Sequence, residues 1–302
     1  MSKNGRAFLS NDGCKSFFAA IVESCGHESK STNILVENIG NKSSDKESID
    51  DPSHICDRLE ANDAGKALKW NEKAQLITRL GKAVSSSQPP HCVTRALKVL
   101  EDILCSKKIN VFVIKSTIQA VGSIGCHLGK SLINHSSWTT IFRECLNLLS
   151  DKKVGAVAQK TLTSLHGKCF MLSSTMGFIA EIIGLGETST PGAGKEMKEV
   201  SKYSGIIQWL ATTMMKEAEM SQVETVVDAN TLKKISSIFF CFVGHRDQKC
   251  RKNGIDGIVN TIVYASKQLH MKMEEAQMLC AGLKNINPRG WKTVLQRVKT
   301  MV

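Results

Sequence analysis

Residues 91–128 decide the fold, and they read HCVTRALKVLEDILCSKKINVFVIKSTIQAVGSIGCHL. Apolar residues recur in this stretch every three or four positions on either side of a short polar turn, as on one face of a helix. They are Ala96, Leu97, Leu100, Ile103 and Leu104 before the turn and Val111, Ile114, Ile118, Val121 and Ile124 after it. The stretch therefore predicts two amphipathic helices, 91–105 and 110–128, that form a pair.

The same pairing recurs along the chain from Pro52 onward. No stretch alternates apolar and polar residues between hairpin turn residues, so a sheet is not supported. The sequence predicts an all-α domain of about six helix pairs. The predicted pairs are 53–60 with 71–86, 91–105 with 110–128, 137–149 with 152–168, 174–184 with 198–218, 229–243 with 248–268, and 272–284 with 288–301.

The second helices of the pairs begin at regular intervals. A helical period of about 40 to 47 residues is typical of HEAT and armadillo repeats. Each pair is apolar over a wide face, so neighbouring pairs must stack to bury it. We therefore predict a HEAT-repeat α-solenoid with the turns inside the pairs along one edge. The predicted starts are Trp70, Asn110, Lys152, Lys198 and Gln248, which are 40, 42, 46 and 50 residues apart.

The first 51 residues differ from the helical part in composition. Residues 11–25 show one short amphipathic pattern, whereas residues 26–51 are rich in Ser, Asn, Lys, Asp and Glu. Such a segment buries too little apolar area to offset the entropy lost on ordering. We expect a largely disordered N-terminal segment, 1–51, with a short helix near 11–25, followed by the helical domain, 52–302.

The charge of the chain favours an acidic partner. Lys and Arg number 40 against 28 Asp and Glu, and the formal net charge is +12. A positive surface field attracts acidic molecules. Aromatic residues make up only 5% of the chain and do not interleave with the basic residues as base-stacking surfaces require. An acidic protein is therefore favoured over nucleic acid.

Targeting signals and metal-binding motifs are not evident. The first residues lack the apolar core of a signal peptide, and no window reaches the roughly 20 apolar residues that cross a bilayer. The 11 Cys residues include no Cys-x-x-Cys pair, and most fall in apolar helical patterns. Free buried thiols in a reducing compartment explain them best. We expect a cytoplasmic protein with no metal site, no cofactor and no membrane partner.

Every turn inside the first five pairs carries Lys or Arg. If the repeats stack, these cations form a positive stripe along one edge, led by a Trp of the kind enriched at interface hot spots. The candidate binding residues are Trp70, Lys73, Lys107, Lys108, Asn110, Lys152, Lys153, Lys195, Arg246, Lys249 and Arg251.

Residues 70–80 read WNEKAQLITRL. This resembles the opening of a TOG domain, the tubulin-binding module of the microtubule polymerase and CLASP families, where Trp-Lys-x-Arg-x-Glu-Ala-Leu-x-x-Leu is typical. Asn71, Lys73 and Gln75 depart from that pattern, where lysine, arginine and glutamate are typical. The resemblance extends over about 55–302. It includes residues 110–111, 148–153, 207–210 and 283–298, which are similar to the family's second, third and fourth repeats and its closing helices.

The resemblance implies a non-catalytic protein that binds αβ-tubulin or microtubules and regulates microtubule dynamics. Trp70 would then be an apolar anchor, and the turn cations would contact acidic groups. The implied location is the cytoskeleton, at microtubules, the spindle or the centrosome. Residues 1–51 are the candidate segment for homodimerisation or for binding an adaptor protein.

Two other functions are alternatives to this interpretation. A HEAT or armadillo adaptor would hold an extended peptide or an acidic protein on its concave face, and only Trp209 stands in a second helix suited to such a role. An enzyme is disfavoured because the eight His residues form no ligand set. The glycine-rich stretch ending at Lys195 continues with Glu196, where a phosphate loop needs Ser or Thr.

Overall fold

The computed structural model describes residues 51–61, 68–86, 90–106, 109–183, 201–221, 223 and 226–301. These residues form α-helices, short 3₁₀ segments and turns, and within these ranges the only β pairing is a single bridge between His166 and Phe170. The all-α prediction is confirmed for this part of the chain. The predicted segment 1–51, with its helix near 11–25, lies outside the described residues except for Asp51.

Each predicted helix has a counterpart among the described residues, although the helices predicted to begin at Lys152 and Lys198 begin at Gly155 and Ser204. The predicted start at Lys198 lies outside the described residues. Three 3₁₀ segments, Gly129–Asn134, Leu148–Ser150 and Ser201–Tyr203, lie between the helices. The helices are Pro52–Glu60 (α1), Trp70–Val84 (α2), Pro90–Cys105 (α3), Val111–Leu128 (α4), Trp138–Asn147 (α5), Gly155–Leu165 (α6), Leu172–Ile183 (α7), Ser204–Glu219 (α8), Ala229–Val243 (α9), Gln248–Gln268 (α10), Met273–Met278 (α11), Gly282–Ile286 (α12) and Pro288–Met301 (α13).

Side-chain caps explain where several helices begin. Asn110 accepts a hydrogen bond from the backbone N–H of Phe112 (2.8 Å) at the start of α4. Asp228 and Asp247 cap α9 and α10 in the same way. A short polar side chain at this position satisfies N–H groups that have no partner inside the helix, so it marks the boundary.

The predicted helix 272–284 is wrong in one respect, because it is two short helices, α11 and α12. Cys280 is fully buried at the break, and a Cβ on Gly282 would lie 3.1 Å from the Phe240 ring of α9. The Ser236 hydroxyl of α9 lies 2.7 Å from the Lys233 carbonyl of its own helix and 3.2 Å from the Leu279 carbonyl at the break. The chain bends here to pack against α9.

The second helices of neighbouring pairs pack side by side and run parallel. Between α8 and α10, the Asn253 amide donates to the Ser204 carbonyl (3.3 Å). About two turns further along both helices, the Asn260 amide donates to the Ala211 carbonyl (2.8 Å). In the second hydrogen bond both partners lie further toward the C-terminus of their helices than in the first, so α8 and α10 run parallel.

Small residues allow these helices to approach closely. A Cβ on Gly81 of α2 would lie 2.8 Å from the Cα of Ala120 in α4. A Cβ on Gly122 would lie 3.1 Å from Thr161 of α6, whose hydroxyl donates to the Ile118 carbonyl (3.5 Å). The backbone of α2 therefore meets the backbone of α4 at Gly81, and the backbone of α4 meets the Thr161 side chain of α6 at Gly122.

First helices also neighbour one another, through surface ion pairs. Arg95 of α3 contacts Asp57 (2.6 Å) and Glu60 (2.5 Å) of α1. Arg143 of α5 contacts Glu181 of α7 (2.9 Å). Each such exposed pair contributes at most about 1 kcal/mol, so most of the stability comes from the apolar core.

A buried carboxylate joins the third, fourth and fifth pairs. Glu217 of α8 is fully buried, and its Oε1 accepts from the Leu172 N–H (2.7 Å) and lies 2.8 Å from His166 Nε2. Its Oε2 accepts from the Tyr264 hydroxyl of α10 (3.3 Å), whose pKa is raised by burial. A buried carboxylate is costly unless its lone pairs are satisfied, so these partners fix the position of α8.

The described cysteines form no disulfides, and six of them are buried: Cys56, Cys92, Cys145, Cys169, Cys250 and Cys280. Burial raises the pKa of Cys145 and of Cys169 to about 12. Such thiols stay protonated at neutral pH and serve as small apolar residues. The prediction of free buried thiols is confirmed at these six positions, whereas Cys105 and Cys126 are exposed.

Among the described residues one segment, Val111–Asn134, is long and apolar enough to cross a membrane by length and composition, and its most apolar 18-residue window has a mean hydropathy of 1.3. The expectation that no window reaches this level is therefore wrong. Of its most apolar window, 44% is buried. Its helical part, α4, packs between α2 and α6, and a helix with neighbours on both sides needs apolar residues over much of its circumference.

We expect Glu217→Ala to lower the free energy of unfolding by about 2–4 kcal/mol, because the Leu172 N–H and the Tyr264 hydroxyl lose a buried acceptor. Glu219→Ala is the matched control, since Glu219 is an exposed residue of the same helix; it should change stability by less than about 0.5 kcal/mol. Urea unfolding followed by circular dichroism measures both. Equal losses in the two variants would contradict the role given to Glu217.

Candidate functional site

An exposed aromatic pair lies at the first two turns. Trp70, the first residue of α2, and Phe112, the second residue of α4, stack with ring centroids 5.2 Å apart and planes inclined by 27°. The two residues remain 51% and 57% exposed. Lys115 Nζ lies 5.9 Å from the centroid of the Phe112 ring. Two apolar rings beside a cation have the composition of an interface hot spot.

Phe112 is not among the residues predicted from the sequence. Phe112 follows Trp70 by 42 residues, and the predicted starts of the two helices are 40 residues apart. A large apolar ring near the start of two successive second helices was therefore the signal that could have identified it. Trp70 contacts the second pair through this ring, so it does not fold back onto the first pair alone.

The other candidates of the first two turns have different surroundings. Lys73 lies one turn after Trp70 and is half-buried. Asn110 is occupied as the cap of α4, so it holds the helix start that presents Phe112. Lys107 and Lys108 lie outside the described residues.

The third turn is organised by Asp151. Its carboxylate accepts from the N–H groups of Lys153 (2.7 Å) and Val154 (2.9 Å), and this leaves the side chains of Lys152 and Lys153 exposed. A carboxylate that binds backbone N–H groups fixes the direction in which the following residues point. Lys152 and Lys153 therefore lie on a defined turn.

The third turn is also held against the start of α8. The Ser150 hydroxyl accepts from the Gly205 N–H (3.0 Å). A Cβ on Gly205 would lie 2.2 Å from the Leu149 carbonyl oxygen, a distance that no side chain tolerates. Glycine is therefore required where the two backbones meet. Lys195, the candidate of the fourth turn, lies outside the described residues.

The fifth turn is stiffened by its own side chains. Arg251 Nη1 donates to the carbonyls of His245 (2.9 Å) and Arg246 (2.6 Å), so this guanidinium folds back onto the turn. Asp247 caps α10, and the hydrogen bond from the Cys250 N–H lowers the pKa of its carboxyl. Arg246 and Lys249 are exposed beside them.

The described turns are connected from one helix pair to the next at the starts of the second helices. Trp70 contacts Phe112, Ser150 contacts Gly205, and Ser204 contacts Asn253. Gly122 and Gly125 of α4 lie against Thr161 and Leu165 of α6 in turn, so these two helices also run parallel and their starts lie at the same end. We define the turn edge by its described residues, which are Trp70, Lys73, Asn110, Phe112, Lys115, Lys152, Lys153, Arg246, Lys249 and Arg251.

Within the described part of the chain, no group of three or more His, Cys, Asp or Glu residues is placed to hold a metal ion. The glycine-rich stretch before Glu196 lies outside the described residues. The side chains of the turn edge can make two kinds of interaction with a partner, which are apolar contacts and charge-assisted hydrogen bonds.

No model of a known protein family matches this sequence, and no curated protein matches it either.

We expect Gly205→Ala to lower the free energy of unfolding by about 1–3 kcal/mol, because the new methyl group would force α8 away from the Leu149 carbonyl. Gly177→Ala is the control, since a Cβ on this helical residue meets no atom within 4 Å. It should stabilise the protein by up to about 1 kcal/mol. Thermal and urea unfolding of the two variants measure the difference. A neutral Gly205→Ala would contradict the close approach.

Proposed function

We propose that residues 52–302 form a HEAT-type repeat stack that resembles a TOG domain and binds αβ-tubulin through the turn edge. On this proposal the protein has no catalytic role and regulates microtubule dynamics at the cytoskeleton. The observation that carries the proposal is the exposed stack of Trp70 on Phe112 at the end of a row of cationic turns.

The repeat architecture is supported by the spacing of contacts between second helices. Thr161 hydrogen-bonds to a residue 43 positions earlier, Asn253 to one 49 earlier, and Arg297 to one 41 earlier. The contact between Ser150 and Gly205 spans 55 positions, which agrees with the long fourth turn predicted from the sequence. Stacked HEAT repeats produce contacts between neighbouring helices about 40 to 47 positions apart, and two of these offsets fall in that range while the two that involve the start of α8 are longer.

The binding mode is supported by the chemistry of the turn edge. Exposed stacked rings on a soluble protein are costly unless a partner covers them, and aromatic residues with nearby cations are typical of binding hot spots. Lys152, Lys153 and Arg246 extend the positive charge beyond the rings. A partner with an acidic surface and an apolar pocket fits this combination, and the TOG-like sequence at 70–80 leads us to name tubulin.

The adaptor alternative predicts a Trp on the face of the second helices. Trp209 is only 1% exposed and packs against Phe170, with ring centroids 6.2 Å apart. It is therefore a core residue and supplies no such contact. This favours the turn edge over a tryptophan-lined concave face.

We expect the double variant Trp70→Ala, Phe112→Ala to weaken tubulin binding at low salt by at least about tenfold, because hot-spot rings contribute about 2 kcal/mol or more. Lys152→Ala with Lys153→Ala should weaken it less. Lys233→Ala with Lys234→Ala, two exposed lysines of α9, is the matched control and should leave binding unchanged. Size-exclusion co-elution with purified tubulin, followed by sedimentation velocity, measures all three.

Circular dichroism must show that the variants of this series stay folded. Wild-type binding by both turn-edge variants would exclude the turn edge as the tubulin site. Failure of the wild-type domain to bind tubulin under the same conditions would exclude the proposed function as a whole.

We expect the association rate constant with tubulin to fall at least about tenfold when NaCl is raised from about 50 to about 500 mM, because the turn cations steer encounter through a field that salt screens. The Trp70→Ala change should act mainly on the dissociation rate. Stopped-flow or surface-based kinetics separates the two effects. A salt-independent association rate would contradict electrostatic steering.

A further inference from the structure

The second-helix face of the last three pairs carries an open groove of about 480 Å³. It lies between α8, α10 and α13. Of the turn-edge residues only Lys249 lines it, so the groove is a separate feature.

The lining of the groove is cationic. Lys216 of α8 and Lys249 and Lys252 of α10 are exposed along it. Asp256 is the one carboxylate among the lining residues, and Arg297 of α13 contacts it at 2.5 Å. That ion pair is neutral as a unit, so the lining keeps a net charge close to that of the three lysines.

The floor of the groove is preformed and its walls are partly apolar. The amide hydrogen bonds of Asn253 and Asn260 to α8 hold the two helices at a fixed spacing. Met215 and the 37% exposed Met301 add thioether side chains, which adapt to apolar groups of different shape. No aromatic residue lines the groove, so nucleic-acid bases would find no stacking partner there.

We propose that this groove is a second binding site, which takes an acidic peptide segment with an apolar side chain among its carboxylates. The carboxylates of the segment contact Lys216, Lys249 and Lys252, and its apolar side chain contacts Met215 and Met301. The charge complementarity selects an acidic segment, and the methionines select one that is not purely charged.

The probe is the fluorescein-labelled peptide Glu-Glu-Leu-Glu-Glu-Leu-Glu-Glu, titrated with the whole protein at low salt and followed by fluorescence anisotropy. We expect the wild type to bind it. Lys216→Glu with Lys252→Glu should weaken binding at least about tenfold, and the neutral pair Lys216→Gln with Lys252→Gln should weaken it less. Replacing both leucines of the peptide by serine should also weaken binding.

Lys233→Glu with Lys234→Glu makes the same change in net charge on α9, in the other helix layer, and should change the affinity less than about twofold. Trp70→Ala should leave peptide binding unchanged, which separates this site from the aromatic pair. Equal losses in the groove and control reversals would overturn the proposal. So would loss of peptide binding on Trp70→Ala, or binding of a single-stranded oligonucleotide in the groove in preference to the peptide.

Discussion

The close parallel packing of the second helices is the constraint on which the rest of the structure depends. Gly81 brings α2 against the backbone of α4, and Gly205 brings the start of α8 against the Leu149 carbonyl. Where backbones touch, the helices have little freedom to slide, so the start of each helix is placed relative to the next. The turn edge consists of residues at or near these helix starts, so the packing of the second helices also determines where its side chains lie.

The fold was predictable where local signals coincide with the apolar period. α9 and α10 have the predicted bounds, because Asp228 and Asp247 cap helices whose apolar faces are continuous. The break between α11 and α12 was not predictable, because it follows from contact with α9 and leaves the apolar pattern intact. Val111–Asn134 is apolar over a length that could cross a membrane because its helix, α4, packs between two other helices. The sequence of this segment does not by itself show that it has two neighbours.

The candidate site was predictable as a set of cationic turns but not as a surface. Trp70 was identified from its position, whereas its partner Phe112 required knowledge that successive turns meet in space. The contact of His166 with Glu217 joins residues 51 positions apart, and nothing in either local sequence indicates the other. Lys107, Lys108 and Lys195 lie outside the described residues, and the binding role of every candidate residue stays a prediction.

The two stacked rings belong to different helix pairs, Trp70 to the first pair and Phe112 to the second. The surface that they share therefore depends on how these two pairs are packed. A ligand that covers both rings would hold the first pair against the second, which a single aromatic anchor on one helix would not do.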